Sequence, residues 1–122
     1  VLKRQPTENA FLTPVSINGT NVGTFLVDTG ATEVVLSRSM AAKLQLNLAG
    51  APVFLAETAN GVSTCIGVVL DQVSVQGLRA NHVRAAVAEN LGSVDGLLGM
   101  SFLTRFELWQ DGASLKLSTR KR

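Results

Sequence analysis

A chain of 122 residues holds one domain, and at this size about two-thirds of the surface exposed by the unfolded chain can be buried. Hydrophobic residues make up 46% and charged residues 16%, a balance that excludes disorder. The excess of eleven basic over nine acidic residues rests on Arg120-Lys121-Arg122; without them it turns to eight against nine, so no nucleic-acid-binding face is expected.

Residues 1–10 are polar and aperiodic, a flexible lead-in or a short terminal strand. Pro14–Ile17 and Thr24–Val27 then pair across Asn18-Gly19-Thr20-Asn21, residues that tolerate positive φ. Val34-Val35-Leu36 is a brief β-branched run. Ser37–Leu46 reads as a helix, capped by Ser37, with Met40, Leu44 and Ala41 toward one face. Pro52–Thr58 and Val62–Leu70 flank Asn60-Gly61, a strong hairpin dipeptide. Val73 and Val75, then Val83 and Val87, mark two further strands about a turn at Gly77. Leu97-Leu98-Gly99 is a short buried run, followed by a helical turn over Ser101–Arg105. Phe106–Trp109 and Ser114–Leu117 pair across Asp111-Gly112. Many short strands with one or two short helices predict a mostly β, closed or sandwiched domain.

Residue usage excludes several chemistries. The single Cys65 forms no internal disulfide, and with the single His82 it makes no structural zinc site. One histidine also disfavours a Ser-His-Asp or Cys-His mechanism. No metal and no cofactor is therefore expected. Cys65 reads as a small core filler, His82 as an ordinary surface or half-buried histidine, and Arg120-Lys121-Arg122 as a solvated tail. No apolar run approaches the roughly 20 residues of a membrane span. The first residue is Val1 and not Met, so the native N-terminus is expected to lie upstream, together with any signal peptide or membrane anchor.

The segment Phe25-Leu26-Val27-Asp28-Thr29-Gly30-Ala31 is the most informative. Three apolar residues carry an Asp to the end of a strand, where Thr and Gly turn the chain. A half-buried carboxylate is costly unless it is hydrogen-bonded or functional. Asp28 is thus either an Asx-turn former or a reactive group, and the local spacing leaves both open.

Val27-Asp28-Thr29-Gly30-Ala31 resembles the active-site signature of the aspartic peptidases of single-domain retropepsin type. Asp95-Gly96-Leu97-Leu98-Gly99 resembles that family's second signature, and the Asn60-Gly61 hairpin lies between the two, where the family has its flap. The likeness spans about residues 11–118. Thr58-Ala59-Asn60-Gly61, Leu97–Leu103, Phe106-Glu107 and Asp111-Gly112 before Leu115 look like the bacterial retropepsin-like proteins, which are often membrane-anchored with a periplasmic protease domain. The resemblance implies a closed acid-protease β-barrel over 11–118, a basic tail at 119–122, and a periplasmic or inner-membrane-anchored location facing the periplasm.

It also implies an aspartic endopeptidase acting on extended protein or peptide segments. That chemistry needs two adjacent carboxylates, one ionised and one protonated, because like charges so close cannot both ionise. One Asp-Thr-Gly per chain supplies half of the pair, so the resemblance implies a two-fold homodimer with Asp28 of each copy on the axis. Asp28 would be the catalytic carboxylate, Thr29 would hold the two loops together, and Gly30 would let the backbone approach the substrate. Leu26, Ala31, Val35 and Leu97 would line side-chain pockets beside an apolar residue at the cut bond. The flap, Thr58, Ala59, Asn60 and Gly61 onward, would cover a substrate bound as an added strand.

Retroviral members usually carry Asp at the position of Thr32 and Arg at that of Met100, paired as ions; both are absent here, which leaves no orphan charge. No tyrosine occurs, so the flap tyrosine of pepsin-like enzymes is missing too. Asp95 reads as a turn former before Gly96, with a place beside the substrate pockets as the alternative. The alternative to catalysis is a silent dimerisation or peptide-binding module on the same fold; a monomeric inactive precursor is a third reading.

Overall fold

The computed structural model describes residues 2–4, 11–58, 61–89, 91, 95–111 and 114–119. Ten strands and two short helices follow one another as β1 (Leu2–Arg4), β2 (Phe11–Ile17), β3 (Thr20–Val27), β4 (Val34–Ser37), α1 (Arg38–Lys43), β5 (Val53–Thr58), β6 (Gly61–Val75), β7 (Leu78–Ala88), β8 (Gly96–Leu98), α2 (Met100–Leu103), β9 (Phe106–Asp111) and β10 (Ser114–Thr119).

Alternation decides which face each strand turns inward. In β2, Phe11, Thr13, Val15 and Ile17 are buried, whereas the residues between them are exposed or half-exposed. The strands run β5-β6-β7-β4-β8-β3-β2-β1-β10-β9, and a further pairing of β6 with β2 closes the sheet on itself. Ile17, Phe25, Leu36, Leu70, Val83 and Leu98 fill the interior and are fully buried. Helix α2 closes one end, where the Phe102 and Phe106 rings pack 4.8 Å apart at a 43° tilt. The mostly β closed architecture and the short helices agree with the sequence-based expectation.

Three local expectations change. The first hairpin turns on two residues, not four: Asn18 and Gly19 both take positive φ, at 52° and 82°, and Ile17 pairs directly with Thr20. Two positive-φ residues match the right-handed strand twist, so the strands continue to the turn itself. Val62–Leu70 and Val73–Val75 belong to one strand, β6, which pairs with β7 around the turn Gln76-Gly77. The polar residues Asp71 and Gln72 do not break it, because strand pairing asks only that alternate residues face the core. Helix α1 ends at Lys43, since Gln45 takes φ 56° and the chain leaves the helical path there.

At the termini, β1 inserts between β2 and β10, with Lys3 opposite Leu12 and Leu2 opposite Leu115. Strand β10 runs to Thr119, one residue into the expected tail, and 120–122 lie outside the described residues. No described helix is long and apolar enough to cross a membrane.

Candidate active site

Strand β3 carries the chain from buried Phe25 to Asp28, which is half-buried at the strand's end. The parallel ladder between β3 and β8 pairs Leu26 with Leu97 and Val27 with Leu98. It continues one residue further, where the Asp28 N–H donates to the Leu98 carbonyl at 3.1 Å. The loop then closes tightly. Gly30 N–H donates to Asp28 Oδ1 at 2.9 Å, and Ala31 N–H donates to the Asp28 carbonyl at 3.1 Å. The hydrogen bond of an Asx-turn is therefore present. It fixes one carboxylate oxygen and leaves Oδ2 without a hydrogen-bond partner among the described residues.

The loop is supported from below by the second glycine-containing segment. Met100 N–H donates to the Ala31 carbonyl at 2.8 Å, and Ser101 N–H donates to the Thr32 carbonyl at 2.9 Å. The Ser101 hydroxyl donates to the Arg84 carbonyl at 2.7 Å and accepts from Val34 N–H at 2.9 Å, tying α2 to β4 and β7. Gly99 must be glycine for this approach: a Cβ there would overlap the Glu33 carbonyl and stand 2.8 Å from the Ala31 carbonyl. Gly96 is constrained as well, with the Phe25 ring and the Val35 carbonyl 2.6 Å from any added Cβ.

Asp28 opens onto a cleft of about 330 Å³. Gly30, Ala31, Thr32 and Glu33 form its floor with Asp28, and Val35 and Leu97 stand beside them. Phe54 and Ala56 of β5 and Cys65 of β6 line it from the flap side, and Ala86 completes the wall. Burial raises the Cys65 thiol pKa above its ordinary value, and the Glu33 charge adds to the effect. The thiol thus stays protonated at neutral pH and is a poor nucleophile there.

The comparisons with known proteins bear on this geometry. Residues 13–105 match the family described as "gag-polyprotein putative aspartyl protease". The chain belongs to the retropepsin-like aspartic protease family. A crystal structure of a retropepsin-like aspartic protease from Rickettsia conorii superposes with a TM-score of 0.78 at 27% identity, covering 96% of this chain and 88% of that one. A relative from Sinorhizobium sp., named "Uncharacterized protein in cobV 5'region", is 34% identical over 102 residues. That match covers 82% of this chain and 43% of the relative, so the chain spans less than half of that protein's length.

In this retropepsin-like chain, Asp28, Gly30, Ala31, Val35 and Leu97 all face one cleft. Thr29 is exposed at the loop's edge, and its hydroxyl has no partner among the described residues. Leu26 does not join the cleft wall: it sits one strand repeat before Asp28, half-buried beside Leu97 and Leu12. Thr58 and Gly61 face each other at the far end of the flap hairpin, and Ala59 and Asn60 lie outside the described residues. Asp95 accepts a hydrogen bond from Thr24 N–H at 3.3 Å, a tie to β3 and not a local turn bond, and it is not among the residues that line the cleft. His82 is exposed, and Cys65 is buried but also faces the cleft.

Sequence reasoning missed Glu33, Phe54, Ala56 and Ala86 as lining residues, and it treated Thr32 only as a departure from the retroviral pattern. Phe54 and Ala56 were discoverable, because strand periodicity puts both on one face of a hairpin arm. Nothing in the sequence separates Ala86 from an ordinary core alanine. Where retroviral relatives use an ion pair at the positions of Thr32 and Met100, backbone hydrogen bonds from Met100 and Ser101 hold the loop here.

Proposed function

We propose that the protein is a homodimeric aspartic endopeptidase that hydrolyses peptide bonds in extended polypeptide segments. The observation that carries this reading is the Asp28 loop itself. One carboxylate oxygen is fixed by Gly30 N–H, the other has no hydrogen-bond partner among the described residues, and Asp28 lines a cleft that the β5–β6 hairpin also lines. A binding module has no need to hold an ionisable group in that attitude.

A single loop supplies a single carboxylate, so the reaction requires the Asp28 of a second copy. The ionised member takes a proton from a water held between the pair, and the resulting nucleophile attacks the peptide carbonyl carbon. The protonated member gives its proton to the carbonyl oxygen as the tetrahedral intermediate forms. Collapse breaks the C–N bond: the amine leaves with the proton held by the first carboxyl group, and one hydroxyl of the intermediate returns its proton to the second carboxylate, which restores the starting state of the pair. Sharing one proton between two close carboxylates makes an acid and a base available together.

The substrate strand would lie between the Asp28 loop and the flap, with apolar side chains against Val35, Ala56 and Leu97. Cleavage of an undirected peptide library, compared between the wild type and Asp28→Ala from about pH 3.5 to 7, tests the reading across the ordinary carboxylate range. Products that disappear in the variant are expected. A wild type that is dimeric at the assay concentration and yields no products would favour the silent module.

A further inference from the structure

Glu33 is the one charged side chain besides Asp28 that lines the cleft among the described residues. Its side chain is 19% exposed, and its Oε2 forms an ion pair with Arg84, whose Nε stands 3.1 Å away. That partner is lopsided. The Arg84 side chain is 79% exposed, and it lines a second depression, not the cleft of Asp28. This second depression, of about 510 Å³, lies against Pro52, Gly67, Val68 and Val69. Glu33 and Phe54 belong to both, so they form the divide between them.

The two oxygens of Glu33 therefore have different fates. Oε2 is neutralised by Arg84. Oε1 has no hydrogen-bond donor among the described residues, and none of their side-chain oxygens is buried without a partner, so Oε1 is open to solvent. The described charged groups around the cleft of Asp28 are thus both acidic, with no cation among them. A mostly buried carboxylate with one open oxygen favours a cationic ligand group and disfavours an anionic one.

We propose that Glu33 is a specificity-determining residue that selects a lysine or arginine side chain at one substrate position in the cleft. This rests on the peptidase reading for its biological meaning. The incoming cation would take Oε1, and its alkyl stem would lie against Phe54. Arg84, largely solvated, keeps Oε2 or yields it.

The test uses peptide pairs that differ only in lysine against norleucine, placed in turn at each position around a cleaved bond. Lysine is expected to be favoured at one position by about five- to tenfold in kcat/KM, the scale of one partly exposed ion pair. The preference should be carried by KM, weaken with added salt, vanish in Glu33→Gln, and grow in Arg84→Ala, where the competing cation is gone. The same pairs are also titrated onto Asp28→Asn by calorimetry, which needs no hydrolysis. Glu33-dependent lysine preference in binding, with no cleavage by the wild type, would uphold Glu33 and overturn the peptidase reading. Cleavage with no lysine preference, or with one that survives Glu33→Gln, would overturn the proposal alone. Absence of both cleavage and binding would overturn both. Arg84 is exposed enough that its variant will fold, so the Arg84→Ala arm stands even if Glu33→Gln does not.

Discussion

Gly99 carries the tightest steric demand near the site, because the Glu33 and Ala31 carbonyls occupy the space where a side chain would begin. Gly99→Ala must push the Asp28 loop away from α2 and is expected to cost about 2 kcal/mol or more in a urea unfolding titration. Gly19→Ala has only its positive φ of 82° against it, with nothing within 4 Å, and should cost less, about 1 kcal/mol. The opposite order would mean that the loop and α2 are not packed as described. Cys65 supplies a second residue-scale test. Its raised pKa keeps the folded thiol protonated, so iodoacetamide at about pH 8 should label it far more slowly in the native than in the urea-unfolded protein. The sign for stability follows: the folded state holds this proton more tightly, so its contribution is complete below the ordinary thiol pKa and is lost as pH rises through the folded value. Rapid native labelling would contradict the buried placement. At this scale the Asp-Thr-Gly motif and the two glycines of the second motif were legible, since each needs a particular residue type. Glu33 was not, because a glutamate after a turn reads as surface until its backbone is seen beneath the flap.

Helix α1 shows how far local chemistry decides an element. Ser37 Oγ accepts from Met40 N–H at 3.1 Å, the N-cap expected from sequence, while Met40 and Ala41 turn inward. The Ser37→Ala variant should lose about 1 kcal/mol, measured as a lowered unfolding midpoint with an unchanged denaturant slope. No change would mean that packing of Met40 and Ala41 alone holds the helix. The C-terminal end was misjudged for a physical reason: Leu44 and Leu46 continue the apolar pattern, yet both lie beyond the helix, packed against the core on either side of the left-handed turn at Gln45. Strand β6 was divided in the sequence reading for the converse reason. Asp71 is exposed and Gln72 half-exposed on a strand whose neighbours Leu70 and Val73 are buried, so polarity there marks an outer face and not a loop. Hairpins announced by Asn-Gly and Asp-Gly were legible. Pairing between distant strands, such as β6 with β2 or β1 with β10, leaves no local mark and was not.

At the scale of the molecule, the account depends on two copies meeting. Val53, Leu55 and Val62 on the flap hairpin are each more than half exposed, as is Trp109 on the edge strand β9. Apolar side chains left in water at a cleft's roof and at a sheet edge suit a protein completed by a substrate and a second chain. The central claim is that each active site takes one Asp28 from each copy, and mixing wild type with Asp28→Asn tests it most directly. At constant total protein, after subunits have exchanged, peptide hydrolysis should fall as the square of the wild-type fraction, to about a quarter in an equal mixture. A linear fall, leaving about half, would show that one chain holds a complete site and would contradict the account.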